Sequence, residues 1–444
     1  MTRHARPRPA PSRGARAARA AVGALVLVVA ATGGALAIGL GDSVLGSDGA
    51  REDTALGTPS ATPSDPAVAP TPTPTPTPTP APDAVFTLVA AGDVLLHQPV
   101  FEAARTADGY DFTPQLTAIQ PWVAGADLAL CHLEVPVAPA GTNPSGYPMF
   151  GSPQQIAGAL SATGWDGCST ASNHSLDRGA AGVTTTLDAL DAADLGHVGT
   201  ARSAEEAAAP EVYRLERAGQ SIQVAHLAAT YGTNGLPIPS GAPWTVNLID
   251  TATLVAQATA ARAAGADVVV VSIHCCVEYV SDPTDQQVQV AAELAASGVV
   301  DLVIGHHAHV PQPVVELPGG PRGEGMWVAY GLGNFISNQG AHCCVASSDS
   351  GLLMLATFTK PADGPVSVTG MAWTAVTVDR GGGYVVEPLS ALVAAGQGAG
   401  SMSAGELVTR RDRVTAVVGA APPELTAPPT ATGPAPLLRP LTLP

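Results

Sequence analysis

Several short stretches of this sequence are almost wholly apolar, and each stops at residues able to hold a metal ion or move a proton. Residues 85–91 run into Gly92-Asp93, 127–130 into Cys131-His132-Leu133-Glu134, and 164–170 into Ala171-Ser172-Asn173-His174. Residues 268–273 end in His274, and 299–304 end in Gly305-His306-His307-Ala308-His309. Runs so short and uniformly apolar predict strands buried on both faces. Helical stretches separate them, near 182–193, near 251–264 and from a cap at Asp282-Pro283 to about 296. Short buried strands alternating with helices predict an α/β arrangement. Loops at one edge of such a sheet converge, so polar groups recurring at the strand ends predict one shared site. Residues 326–329 read as a further strand, and 352–359 and 366–378 as strands of a second sheet.

The flanks have a different character. Residues 1–19 hold six arginines and no acid, and 20–40 carry no charge. At about 1.5 Å per residue such a segment spans roughly the 30 Å hydrocarbon core of a bilayer. Arginines on its N-terminal side would stay in the cytoplasm and place the rest of the chain outside. A single-pass anchor is the expectation, with cleavage near Ala37 and secretion as the alternative. Residues 41–83 include TPTPTPTPTP and predict an extended, disordered spacer. The folded domain is expected over 84–395, and 396–444, rich in Ala, Gly and Pro, as a largely disordered tail. The formal charge of −17 argues against nucleic acid as a partner, because phosphate binding wants a basic surface.

Two carboxylates, an asparagine and several imidazoles form a mixed oxygen and nitrogen donor set that suits divalent Zn, Mn or Fe. Two such ions acidify a water and neutralise charge on an attacked phosphoryl oxygen. The spacing His307-x-His309-x-Pro311 fits ligands on a loop leaving a buried strand.

The motifs GDVLLH (92–97), HLE (132–134), ASNHSLDRG (171–179), HCCVEY (274–279), GHHAHVPQ (305–312) and YGLGNF (330–335) resemble the series that marks the CapA family of poly-γ-glutamate capsule synthesis proteins. The resemblance spans about residues 85–378 and implies a layered, metallophosphoesterase-like β-sandwich flanked by helices. It also implies an outward-facing role in making, exporting or attaching an anionic polymer, beside membrane-bound synthase components. By the same resemblance Asp93 is the first metal aspartate, Glu134 the bridging carboxylate and Asn173 the amide ligand. His274, His307 and His309 are the imidazole ligands, and His174 serves the leaving group. The pattern also has departures. Leu95 stands where a D-x-H histidine belongs, with His97 two positions on, while His132, Ser172 and Cys275 replace the usual residues. His97, His132, His306, Glu278, Tyr279 and Asn334 are therefore further candidates. His197 and His226 read as structural.

The six cysteines leave choices open. The triplets His274-Cys275-Cys276 and His342-Cys343-Cys344 fit disulfides joining their two loops, a Cys/His zinc site, or free thiols. Cys131 and Cys168 fit either a bridge or simple burial. Three functions are compatible with these residues: a metal-dependent hydrolase or transferase of an envelope polymer, a non-catalytic polymer-binding or synthase-partner protein, and a general metallophosphoesterase.

Overall fold

The computed structural model describes residues 82–419 and 421–438. The basic segment, the apolar segment and nearly all of the Pro/Thr repeat lie outside the described residues. Among the described residues no helix is long and apolar enough to cross a membrane. The main strands are β1 (Ala84–Val94), β2 (Leu128–Leu133), β3 (Gly167–Ser169), β4 (Gly196–Val198), β5 (Glu211–Arg217), β6 (Gln220–Thr230), β7 (Val268–His274) and β8 (Leu302–His306). They continue with β9 (Val314–Leu317), β10 (Met326–Ala329), β11 (Asn334–Ile336), β12 (Ser350–Lys360), β13 (Ser367–Asp379), β14 (Val385–Glu387) and β15 (Leu437–Leu438). The longer helices are α1 (Gln155–Thr163), α2 (Gly179–Asp191), α3 (Thr251–Ala263), α4 (Asp285–Ser297) and α5 (Ala404–Val418).

The strands form two facing sheets. The first has the order β14-β13-β12-β1-β2-β3-β4, with β11 paired to the end of β1, and the second β9-β10-β8-β7-β6-β5-β15. Side-chain alternation sorts each strand into two apolar faces. Phe86, Leu88 and Ala90 of β1 meet Val224, Val270 and Ile304 between the sheets. Val89 and Ala91 turn outward to Ile156, Leu160 and Leu187 of α1 and α2. Val269, Val271 and Ile273 turn the other way, to Leu254, Ala258 and Leu294 of α3 and α4. The result is helix, sheet, sheet, helix, with strands buried on both sides as their sequence requires. His226 is buried and bonded to Ser272 at 2.9 Å, and His197 to Asp191 at 3.0 Å, both as structural residues.

Three expectations need correction. The strands at 352–359 and 366–378 are β12 and β13 of the first sheet. β12 pairs antiparallel with β1 along eight residues, from Ala84↔Lys360 to Ala91↔Leu353, and the second sheet is instead built from residues 211–329 with β15. The cap of α4 is Thr284, whose side chain accepts from Gln287 N while Gln287 Oε1 accepts from Thr284 N at 2.9 Å, a reciprocal box that outcompetes Asp282.

The third correction concerns residues 396–419 and 421–438, which are not a disordered tail. Leu407, Val414 and Val418 of α5 enter the core between the sheets, and Arg413 donates to both oxygens of Asp349 at 2.9 Å. Beyond it, Trp373 Nε1 donates to Pro422 O at 2.8 Å, and β15 pairs with β5. Low-complexity composition hid a helix whose few apolar residues fall at helical spacing and whose arginines have partners distant in sequence.

The N-terminal end of β2 holds the two sheets and the C-terminal segment together. Asp127 accepts from Thr87 N at 2.8 Å on β1, from Arg217 Nη2 at 2.8 Å on β5, and from Thr432 N at 2.6 Å. Arg217 and Asp127 are fully buried. Removing one partner of a buried pair strands the other charge. Arg217→Met should therefore lower the unfolding free energy by about 3–5 kcal/mol, measured by urea titration, whereas a loss of a few tenths would show that the pair does not join the sheets.

Candidate metal centre

Within each sheet the strands around the centre run parallel, β1-β2-β3-β4 in one and β6-β7-β8-β10 in the other, so their C-terminal ends form one edge of each. Register then fixes who meets whom: Asp93 pairs with His132 across β1 and β2, and His274 with His306 across β7 and β8. Two glycines permit the close approach this needs. A Cβ on Gly92 would lie 2.0 Å from Gly333 O, and one on Gly305 1.8 Å from Tyr330 O.

The predicted residues come together. Asp93, His132 and His274 offer donor atoms within 4.8 Å of one another, and so do Glu134, His307 and His309. The two groups touch, because His309 Nδ1 lies 2.9 Å from Asp93 Oδ2 and His274 Nε2 lies 4.0 Å from Glu134 Oε1. Asn173 Oδ1 is 2.8 Å from His274 Nε2 of the first group. His306 is buried, stacked on His132 at 4.0 Å, with Nδ1 3.3 Å from Asp93 Oδ1. Asn334 holds His309 in place, its Oδ1 3.1 Å from His309 Nδ1 and its Nδ2 donating to Ser348 O at 2.9 Å.

His97, a candidate to replace the absent histidine, belongs to neither group. Its Nδ1 faces Leu95 O at 3.2 Å and accepts from Asn338 N at 3.4 Å, and its ring stands edge-on to Phe150. The short turn after β1 aims it at the wall of a neighbouring cavity, and His132 occupies the first group instead. Glu278 and Tyr279 line that cavity with His174 and His309.

Unsatisfied polar atoms gather at the same place. Asp93 Oδ1, both oxygens of Glu134, both ring nitrogens of His306 and Nδ1 of His307 are buried without a hydrogen bond. Six such atoms in one place are costly unless a cation is their partner, so the donor set fits divalent metal. Burial, reinforced by the neighbouring imidazoles, holds His132 and His274 well below the ordinary histidine range and His307 at about 3, which keeps them neutral as ligands must be. Burial opposes the charge of Asp93, but the imidazoles of His306 and His309 outweigh it and hold that carboxyl low. Burial pushes Glu134 well up. For His309 burial pulls down, while Glu134 and Asp93 raise it to about 9. At neutral pH the Glu134–His309 pair therefore carries a proton.

Some functional residues were not singled out from sequence. Asp177 Oδ2 accepts from His174 Nδ1 at 2.8 Å, three residues on in the turn before α2. Asn234 accepts from Asn173 at 3.2 Å, and the Tyr231 ring lies 4.7 Å from His307. The Asp177 spacing was visible in N-H-S-L-D, but Tyr231 and Asn234 lie on a loop with no motif. The cysteines also differ from the loop-joining expectation. Cys131 and Cys168 bridge paired positions of β2 and β3, and the sulfurs of Cys275 and Cys276 pair with each other, as do those of Cys343 and Cys344. Cys275 is buried beneath His306 O while Cys343 stands exposed at the cavity rim, so the loops present sulfur at different depths. Neither donor group includes a cysteine.

Comparison with known proteins bears on this edge of the sheets. The family described as Bacterial capsule synthesis protein PGA_cap matches residues 87–339, over half of the chain. The PGA biosynthesis protein CapA of Bacillus subtilis is 30% identical over 172 residues, 38% of this chain and 42% of that protein. The capsule biosynthesis protein CapA of Bacillus anthracis is 25% identical over 263 residues, 57% of this chain and 60% of that protein. The chain thus spans about half the length of these relatives. Among solved structures, Haemophilus influenzae NAD nucleotidase is 12% identical with a TM-score of 0.42, covering 67% of this chain and 59% of that one. The calcineurin-like phosphoesterase YfkN of Bacillus subtilis is 15% identical with a TM-score of 0.40, covering 76% and 98%.

A ligand role for the Glu134–His309 pair has a measurable sign. The metal-free pair keeps its proton below about pH 9, and a metal must displace it. Calorimetric titration with Zn or Mn should show proton release, with apparent affinity rising by up to about tenfold per pH unit and per proton between pH 6 and 8. Affinity independent of pH there would remove His309 and Glu134 from the ligand set.

Proposed function

The chain belongs to the bacterial capsule synthesis protein family PGA_cap, and from that premise we propose a metal-dependent hydrolase or transferase of an envelope polymer of the poly-γ-glutamate type. The observation that carries this reading is the paired donor groups with six unpartnered buried polar atoms, set beside a cavity of about 370 Å³. Asp93, His132 and His274 would hold one divalent ion, and Glu134, His307 and His309 a second, with Asn173 adjacent. Bound there, divalent ions acidify a water and neutralise charge on the attacked group.

The remaining work falls to residues of this chain. His174 lines the cavity, and its Nδ1 donates to Asp177, so in the neutral ring Nε2 accepts a proton, and it hands one to a leaving group only when the ring carries a proton on both nitrogens. The rings of Phe150 and Tyr147 shield that side of the cavity. We further propose that residues 84–438 act outside the membrane, tethered by 20–40 and spaced from it by 41–83, next to membrane-bound synthase components. A non-catalytic role is the second reading, favoured by the exclusion of His97 from both donor groups.

Metal-loaded protein assayed on γ-glutamyl peptides and phosphodiesters tests the two readings. Chelation should abolish turnover. His174→Ala should lower it by about a hundredfold or more with metal content unchanged, and Asp177→Asn by about tenfold. Metal-loaded protein inactive on both substrate classes would leave the non-catalytic role, and activity on phosphodiesters alone would point to a general phosphoesterase.

A further inference from the structure

The cavity beside the donor groups has a chemistry of its own. It is lined by Tyr147, Phe150, His174, Glu278, Tyr279 and His309, among others, and no arginine or lysine is among its lining residues. Tyr147 is 78% exposed at the lip. Its ring lies 6.3 Å from Phe150, which stands 4.7 Å and edge-on from His174. On the opposite wall Tyr279 adopts a left-handed backbone, φ 63°, and its hydroxyl accepts from Gln339 Nε2 at 3.0 Å. That conformation is rare for an aromatic residue, and it turns Glu278 and Tyr279 together along the cavity.

Glu278 is half-buried and has no ion pair with a described Arg, Lys or His. Two arginines outside the lining are committed elsewhere. Arg178 donates to Phe150 O at 3.0 Å and to Asn143 O at 3.1 Å, and Arg380 is held against His342. The chain as a whole carries −17, so the field around the cavity repels free carboxylates before they arrive. An aromatic-walled cavity without arginine or lysine, whose imidazole His309 already faces Asp93 and Glu134 while Glu278 has no basic partner, suits positive charge.

We propose that this cavity binds a primary ammonium group, with Glu278 as its counter-ion and the rings of Tyr147, Phe150 and Tyr279 as its walls. The assignment deepens the hydrolase or transferase reading and rests on it for its purpose, since His174 and His309 line the same space. It makes the substrate portion held here the amine-bearing end of an amino acid or peptide, not the carboxylates of a polymer. Those carboxylates have no partner in the cavity, and only metal at the donor groups would receive one.

Three compounds of equal chain length and different charge test this: cadaverine, pentanediol and glutarate, titrated calorimetrically into the full metal-loaded chain at low ionic strength. Cadaverine should bind at least about tenfold more tightly than pentanediol, and glutarate should not compete with it. Glu278→Gln should weaken cadaverine by about tenfold and Glu278→Asp should restore part of the loss, while Tyr147→Ala should cost about threefold. Tyr147 is so exposed that its loss leaves the fold intact, which keeps the test valid if the Glu278 variants prove unstable. Cadaverine affinity unchanged in Glu278→Gln and Tyr147→Ala, or cadaverine binding no more tightly than pentanediol, overturns the ammonium site. Metal content, measured separately, keeps the two proposals apart. A chain that takes no metal but binds cadaverine through Glu278 refutes the hydrolase reading alone, and a metal-loaded chain indifferent to cadaverine refutes this one alone.

Discussion

The donor cluster belongs to neither sheet, and everything about it depends on how the two sheets are pressed together. Asp93, His132, Glu134 and Asn173 come from the first, while His274, His306, His307 and His309 come from the second. The distances that join the two halves, 2.9 Å from His309 to Asp93 and 2.8 Å from His274 to Asn173, are set by the apolar layer behind them. Close-packed layers do not slide by fractions of an ångström without loss, so the core is the ruler that spaces the ligands. At the other end of the strands Asp127 and Arg217 fasten the same two sheets.

The backbone is forced where the chemistry is. Among the described residues eight other than glycine have positive φ, and Asn234, Tyr279, His307 and His309 are four of them. Such conformations cost on the order of 1–3 kcal/mol each and persist when surroundings over-determine them. Here the surroundings are visible. Gln312 donates to Val280 O at 2.9 Å and accepts from Gln287 at 2.7 Å, pinning the loop that carries Tyr279. Asn334 pins His309, and Asn334 is held in turn by Ser348 O, next to the Asp349 that Arg413 of α5 grips. The C-terminal helix thus reaches the cluster through three side chains.

What the sequence displayed was whatever is encoded locally. Continuous apolar runs such as 268–273 declared buried strands, and the polar residues at their ends declared a common edge, because both features need only neighbouring positions. The motif series added the order of the ligand-bearing loops. What it withheld depends on distant partners. The choice of His132 over His97 follows from the register of β1 on β2, and no local pattern specifies register. The helix α5 looked featureless because its stabilising contacts, Asp349 and the inter-sheet core, lie elsewhere in the chain. Sulfur pairing was equally hidden, since it depends on the depth of two loops relative to each other.

The link from Asp127 to Thr432 has a further implication. These residues are 305 positions apart, and Thr87 and Arg217, which share the same carboxylate, are 40 and 90 positions from it. A carboxylate completed over such separations gives the domain high contact order, and contacts of that kind form late and together. Synthesis from the N-terminus leaves this buried charge short of a partner until the last segment arrives. Folding is then expected to be slow and all-or-none, with the donor cluster assembling at the finish.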